Sequence, residues 1–119
     1  MQINKNVIGP NQPVYIIAEV SANHNHSYEK AVEIIHAAKD VGANAVKLQT
    51  YTPDTITLNS SKSYFQIEGT LWSGRNLYDL YGEAYTPWEW HPKLKEVANS
   101  LGLDLFSSPF DFTAVDFLE

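Results

Sequence analysis

Cysteine is absent from the 119 residues, so no disulfide framework can hold this chain together. Positive charge is scarce as well, with eight Lys and Arg against fourteen Asp and Glu and a formal charge of -6. That balance argues against a nucleic-acid surface, because phosphate backbones demand clustered Lys and Arg. It also makes each of the few lysines worth individual attention. No apolar run approaches the roughly 20 residues that a membrane span requires. The start, Met1-Gln2-Ile3-Asn4-Lys5, lacks the basic opening and apolar stretch of a secretory signal. Internal repeats and low-complexity linkers are missing too. These absences lead to the expectation of a cytoplasmic protein with neither nucleic acid nor membrane as partner, and with no domain boundary inside the chain. Against them stand 44% hydrophobic and 13% aromatic residues, ample for a buried core.

Along the chain, Gly9-Pro10 and Gln12-Pro13 punctuate the opening residues 1–13 and predict a short β-ribbon ahead of the first full strand. Val14 to Val20 is a near-continuous apolar run, the pattern of a strand covered on both faces in a parallel sheet. Ser27 is the predicted N-cap of a helix from Tyr28 to Val41, with Ala31, Ile34, Ile35 and Ala38 at helical spacing and Gly42 as its stop. Ala43 to Thr50 reads as the second strand, its alternation placing Lys47 and Gln49 on one side and Val46 and Leu48 on the other. Residues 51–85 are too long for a plain connection, and their aromatic content argues against disorder. Thr86-Pro87-Trp88-Glu89 carries a helix-start pattern, with His91 as an alternative cap and Pro92 as a kink. Leu103 to Ser108 is the third strand, and Asp111 to Glu119 opens a further helix.

Polar side chains gather where each strand runs out: Glu19 to His24, Lys47 to Thr50, and Ser107-Ser108. Strand carboxyl ends converge on one mouth in a (β/α)8 barrel, so three such clusters point to chemistry rather than packing. The predicted fold class is therefore α/β, the N-terminal portion of a TIM-type barrel with about three βα units. A closed barrel needs roughly 250 residues, so the chain reads as a fragment of one. Glu19 is the anomaly within its apolar run, since a carboxylate there is costly unless paired or functional.

Three linked motifs, Ile17-Ala18-Glu19-Val20-Ser21-Ala22-Asn23-His24, Val46-Lys47-Leu48-Gln49-Thr50 and Ser107-Ser108-Pro109-Phe110, resemble the N-terminal third of the sialic acid synthase family of barrel enzymes. Leu48 to Thr55 and Glu83 to His91 resemble its pseudaminic acid branch more than its N-acetylneuraminate branch. The resemblance implies condensation of phosphoenolpyruvate with an open-chain amino-sugar aldehyde to a nine-carbon acid and phosphate. By similarity Lys47 holds the phosphoenolpyruvate carboxylate and Ser108 donates to its phosphate. Glu19 acts on the sugar or as an acid/base group, and Asn23 and Gln49 bind substrate. The resemblance also implies a divalent metal of the Mn or Mg class with ligands outside these residues, a C-terminal antifreeze-like domain, and a homodimer. Two departures stand out: Ser108 replaces the sialic branch's usual Thr and keeps the hydroxyl, and Ser21-Ala22 replaces a Gly-containing pair.

Other readings of the same residues remain open at this level. Glu19 and Lys47 also fit a structural ion pair across adjacent strands, and Ser107-Ser108 before Pro109 fits ordinary loop chemistry. His36 and His91 read as structural or solvated. His24-Asn25-His26 has the spacing of a metal pair in amidohydrolase-like barrels. A non-catalytic binding fragment is the third alternative.

Overall fold

The computed structural model describes residues 1–70 and 72–119. Two short strands, β1 (Gln2–Ile3) and β2 (Asn6–Val7), pair antiparallel as a ribbon. The main sheet has three parallel strands in the order β3 (Ile17–Glu19), β4 (Ala45–Thr50), β5 (Asp104–Pro109). Helices α1 (Tyr28–Asp40) and α4 (His91–Ser100) are the crossovers between them. Between β4 and α4 lie α2 (Pro53–Ile56), α3 (Leu77–Ala84) and two 3₁₀ turns, Ser63–Phe65 and Trp88–Trp90. Helix α5 (Phe112–Leu118) follows β5.

Local chemistry accounts for the helices. Ser27 Oγ accepts the Lys30 amide at 3.2 Å and caps α1, and Gly42 leaves it at φ +87°, a backbone angle that side chains resist. Ala31, Ile35 and Ala38 then form the buried stripe. Helix α4 contributes Leu94 and Ala98 to the same layer, so both crossovers cover one face of the sheet, against Val46 and Leu48. Asn76 caps α3 through the Asp79 amide, and Asp111 caps α5 through that of Thr113.

Sheet register decides what faces the other way. Glu19 pairs with Lys47, Lys47 with Phe106, and Gln49 with Ser108. Since side chains alternate along a strand, these residues share the face opposite the helices. At the other end of the sheet, Asn4 and Tyr15 donate to the Asp104 carboxylate at 2.6 and 2.5 Å, which ties the ribbon to the start of β5.

Two sequence expectations need correction. The apolar run from Val14 to Val20 yields only a three-residue strand, with Val14 81% and Ile17 42% exposed. Ahead of β3 the regular ladder gives way to the Asn44 turn: the Ile16 amide donates to Asn44 Oδ1 at 2.8 Å, and the Ile16 carbonyl accepts the Asn44 and Ala45 amides at 2.8 and 3.1 Å. Thr86 is not a helix cap either. The chain makes a 3₁₀ turn at Trp88–Trp90 and α4 begins at His91, with Pro92 in the first turn, where its missing N–H costs nothing.

Candidate active site at the strand carboxyl ends

The register places Glu19 directly beside Lys47, and Lys47 Nζ lies 2.5 Å from Glu19 Oε1. The two side chains are 50% and 27% exposed, so the pair contributes only about 0–1 kcal/mol to stability. Its place inside a parallel sheet is therefore not explained by stability. Two residues further along β4, Gln49 lies beside Ser108 on β5. Four of the five sequence candidates thus form one row: an ion pair, a carboxamide and a hydroxyl.

The fifth, Asn23, sits in the loop that follows β3. Its Nδ2 donates to the Val20 carbonyl at 3.1 Å. Asn23 and Gln49 both line a cavity of about 900 Å³ between this loop, Tyr51 and α3. The loop is strained, with Ser21, Asn25 and His26 at φ +49°, +49° and +54°. A non-glycine residue pays about 1–2 kcal/mol for that conformation. Only Asn25 belongs to a type that visits it routinely, so sequence patterns gave little sign of this geometry.

Buried histidines hold the surroundings. His24 is fully buried; its Nδ1 accepts the His26 amide at 3.0 Å, which leaves the ring proton on Nε2, 3.0 Å from Thr86 Oγ1. Both ring nitrogens are thereby used, and the His24/His26 metal pair of the amidohydrolase reading is excluded by this geometry. Among the described residues, no three His, Asp or Glu side chains converge on a point that suits a cation. The residues present therefore do not fit the divalent metal that the resemblance implies.

Sequence reasoning missed a second buried network. His91 Nε2 lies 2.9 Å from Thr50 Oγ1, which lies 2.6 Å from Ser107 Oγ. Thr50 and Ser107 flank Gln49 and Ser108 in sequence but face the helices, so the network pins both strand ends from behind. No local signal finds it, because His91 is 41 residues from Thr50.

Burial holds both imidazoles below their ordinary pKa, with the His26 charge adding to the effect at His24. At His91 the Pro87 and Trp88 carbonyls and Glu89 pull weakly the other way. The unfolded chain therefore binds protons that the fold refuses, and stability falls as pH drops below about 6.5. Urea titrations at pH 7.5, 6.0 and 5.0 are expected to show that loss, and His91→Gln to reduce it. A flat profile down to pH 5 would contradict the neutral assignment. The carboxylates with lowered pKa values, such as Asp104, act only below about pH 4.

Comparison with known proteins accords with this geometry. The NeuB family matches residues 34–119. A pseudaminic acid synthase of Helicobacter pylori is 55% identical over 108 residues, covering 91% of this chain and 32% of that protein. An N,N'-diacetyllegionaminic acid synthase of Legionella pneumophila is 34% identical over 110 residues, 92% of this chain and 31% of that protein. Among solved structures, the N-acetylneuraminic acid synthetase of Leptospira borgpetersenii, crystallised with citrate, superposes with a TM-score of 0.79 at 27% identity, over 99% of this chain and 36% of that one. The chain spans about a third of the length of the curated relatives it matches. Because the family match runs from within α1 through α4 and the two strand ends that carry Lys47, Gln49 and Ser108, over more than half of the chain, this chain belongs to the NeuB family.

Proposed function

We propose that the complete gene product condenses phosphoenolpyruvate with an N-acylated amino-sugar aldehyde to form a nonulosonic acid of the pseudaminic type, releasing phosphate. The observation that carries this reading is the row Glu19, Lys47, Gln49 and Ser108 on one face of a parallel sheet, at its carboxyl end. Both crossover helices pack on the opposite face, as a singly wound barrel requires and a doubly wound sheet does not. We therefore take these residues as about three βα units of a (β/α)8 barrel with the ribbon of residues 1–13 at its floor.

In the proposed reaction the enol CH₂ carbon of phosphoenolpyruvate forms a bond to the aldehyde carbon, and the aldehyde oxygen takes up a proton. Water adds to the cationic centre left at the enol-ether carbon. Collapse of that tetrahedral carbon breaks its bond to the phosphate oxygen and leaves a ketone. Lys47 supplies the cation for the substrate carboxylate, and Ser108 donates a hydrogen bond to the phosphate. Glu19 orients the Lys47 ammonium and handles a sugar hydroxyl proton. Gln49 and Asn23 hydrogen-bond the sugar.

The expected divalent cation takes its ligands from outside these residues, and none of the roles above depends on it. A cytoplasmic location and a homodimer complete the proposal; no described helix is long and apolar enough to cross a membrane. The test is phosphate release by the complete protein, given phosphoenolpyruvate, a divalent metal and a panel of amino sugars. One phosphate per nine-carbon product, identified by mass, is expected. Metal-dependent hydrolysis of amides without consumption of phosphoenolpyruvate would overturn the proposal.

A further inference from the structure

The last helix-facing position of each long strand is polar, whereas the positions before it are apolar. Along β4 the alternation runs Val46, Leu48, Thr50, and along β5 it runs from Leu103 through Leu105 to Ser107. Helix α4 meets both ends with His91, its first residue. Thr50 is fully buried and His91 is 5% exposed. The Thr50 hydroxyl ties the other two together, at 2.9 Å from His91 Nε2 and 2.6 Å from Ser107 Oγ. The Phe117 ring of α5 packs edge to face on the imidazole, with centroids 5.5 Å apart.

Stability does not account for this trio. Polar groups in an apolar layer forgo the burial that Val or Leu would supply, and the network is incomplete, since His91 Nδ1 is buried without a hydrogen-bond partner. A partly satisfied network is worse for folding than an apolar core. What the trio does is bridge the same two strands as the proposed substrate. Lys47 on β4 takes the carboxylate of phosphoenolpyruvate and Ser108 on β5 takes its phosphate, so the spacing of the two strand ends has to match one small molecule. Thr50 pairs with Pro109 and Leu48 with Ser107, so the Thr50 to Ser107 contact runs diagonally across the ladder. A diagonal tie resists the sliding of β5 along β4, the motion that would carry Ser108 away from Lys47. We infer, on the synthase reading, that Ser107, Thr50 and His91 hold Ser108 in register for the phosphate from behind the sheet, with His91 as a positioning residue that touches no substrate.

His91→Leu in the complete protein keeps the bulk of the side chain and removes its hydrogen bond. A misplacement of about 1 Å can cost about a hundredfold in rate, and kcat/KM for phosphoenolpyruvate is expected to fall at least about tenfold. His91→Gln, whose carboxamide still reaches the Thr50 hydroxyl, should stay within about threefold of wild type. In a Ser108→Ala background no hydroxyl is left to position, and His91→Leu should add less than about a twofold loss. Ser107→Ala, a small change at a partly buried residue, repeats the cycle where His91→Leu does not fold, with a loss of at least about threefold that vanishes in the Ser108→Ala background. The positioning role would be overturned by unchanged kinetics in these variants or in Ser108→Ala, by equal losses for Leu and Gln at position 91, or by the same fold-loss with and without the Ser108 hydroxyl. Each of those results leaves phosphate release by the wild type intact. Wild-type protein that releases no phosphate with any amino sugar overturns the synthase reading, and the positioning role with it.

Discussion

Lys47→Ala in the complete protein is expected to lower kcat/KM for phosphoenolpyruvate by at least roughly thirtyfold. Removing one member of a hydrogen-bonded charge pair that a bound partner seals from water costs about 2–5 kcal/mol, and each 1.4 kcal/mol is a factor of ten. Two effects add here. The carboxylate of phosphoenolpyruvate loses its cation, and Glu19, now unpaired, repels the anion from a position that Lys47 formerly neutralised. Lys47→Arg should recover only part of the loss, because a planar guanidinium fork does not replace a compact ammonium. Folding stability should change by less than about 1 kcal/mol, since both members of the pair are partly exposed. Steady-state kinetics together with urea unfolding of the same samples separate these readings. Unchanged kinetics would remove Lys47 from the site, and a large stability loss would return the pair to a structural role.

The opposite pattern is expected for Leu94→Ala. Leu94 is the large apolar residue that α4 buries completely, packed with Ile35, Val46 and Leu48 between helix and sheet. A Leu→Ala change in such a position costs about 3 kcal/mol, within a measured range of 2.7–5.0, as transfer energy plus the cavity left behind. Its side chain faces away from the Lys47 row, so the KM for phosphoenolpyruvate should stay within about twofold at temperatures where the variant remains folded. A urea midpoint shifted down with unchanged slope is the expected signature. A shift equivalent to less than about 1 kcal/mol would mean that the helix-to-sheet core is not packed as described.

The pairing of these two outcomes reflects what alternation along one strand encodes. Lys47 and Gln49 alternate with Val46 and Leu48 in sequence, and the sheet puts the first pair on the open face and the second in the core. Helix α1 was equally legible, because a capping Ser, an apolar period and a terminal Gly act within a few residues of one another. What sequence did not reveal depends on partners far apart in the chain. Thr86 carries a convincing helix-start pattern, yet its hydroxyl is taken by His24, 62 residues away. The Thr50, His91 and Ser107 network, and the cavity between Asn23 and α3, likewise exist only once β4, α4 and β5 are assembled. The first strand is shorter than its apolar run for a related reason, since the Ile16 amide is taken by the side chain of Asn44, 28 residues away.

Glu19 illustrates the limit of the composition argument. A carboxylate in an apolar run had to be paired or functional, and register supplies its partner, Lys47. The partly exposed pair is too weak to be there for stability, which leaves binding as the better reason for it. The three left-handed residues of the Ser21–His26 loop point the same way, because strain of this kind persists only where surrounding contacts impose it.

The measurement that bears most directly on this site is a crystal structure of the complete protein with phosphoenolpyruvate bound. Its carboxylate should lie about 3 Å from Lys47 Nζ, with the Ser108 hydroxyl on the phosphate. Phosphoenolpyruvate bound elsewhere, with Lys47 still held by Glu19 alone, would contradict the assignment of this row as the active site.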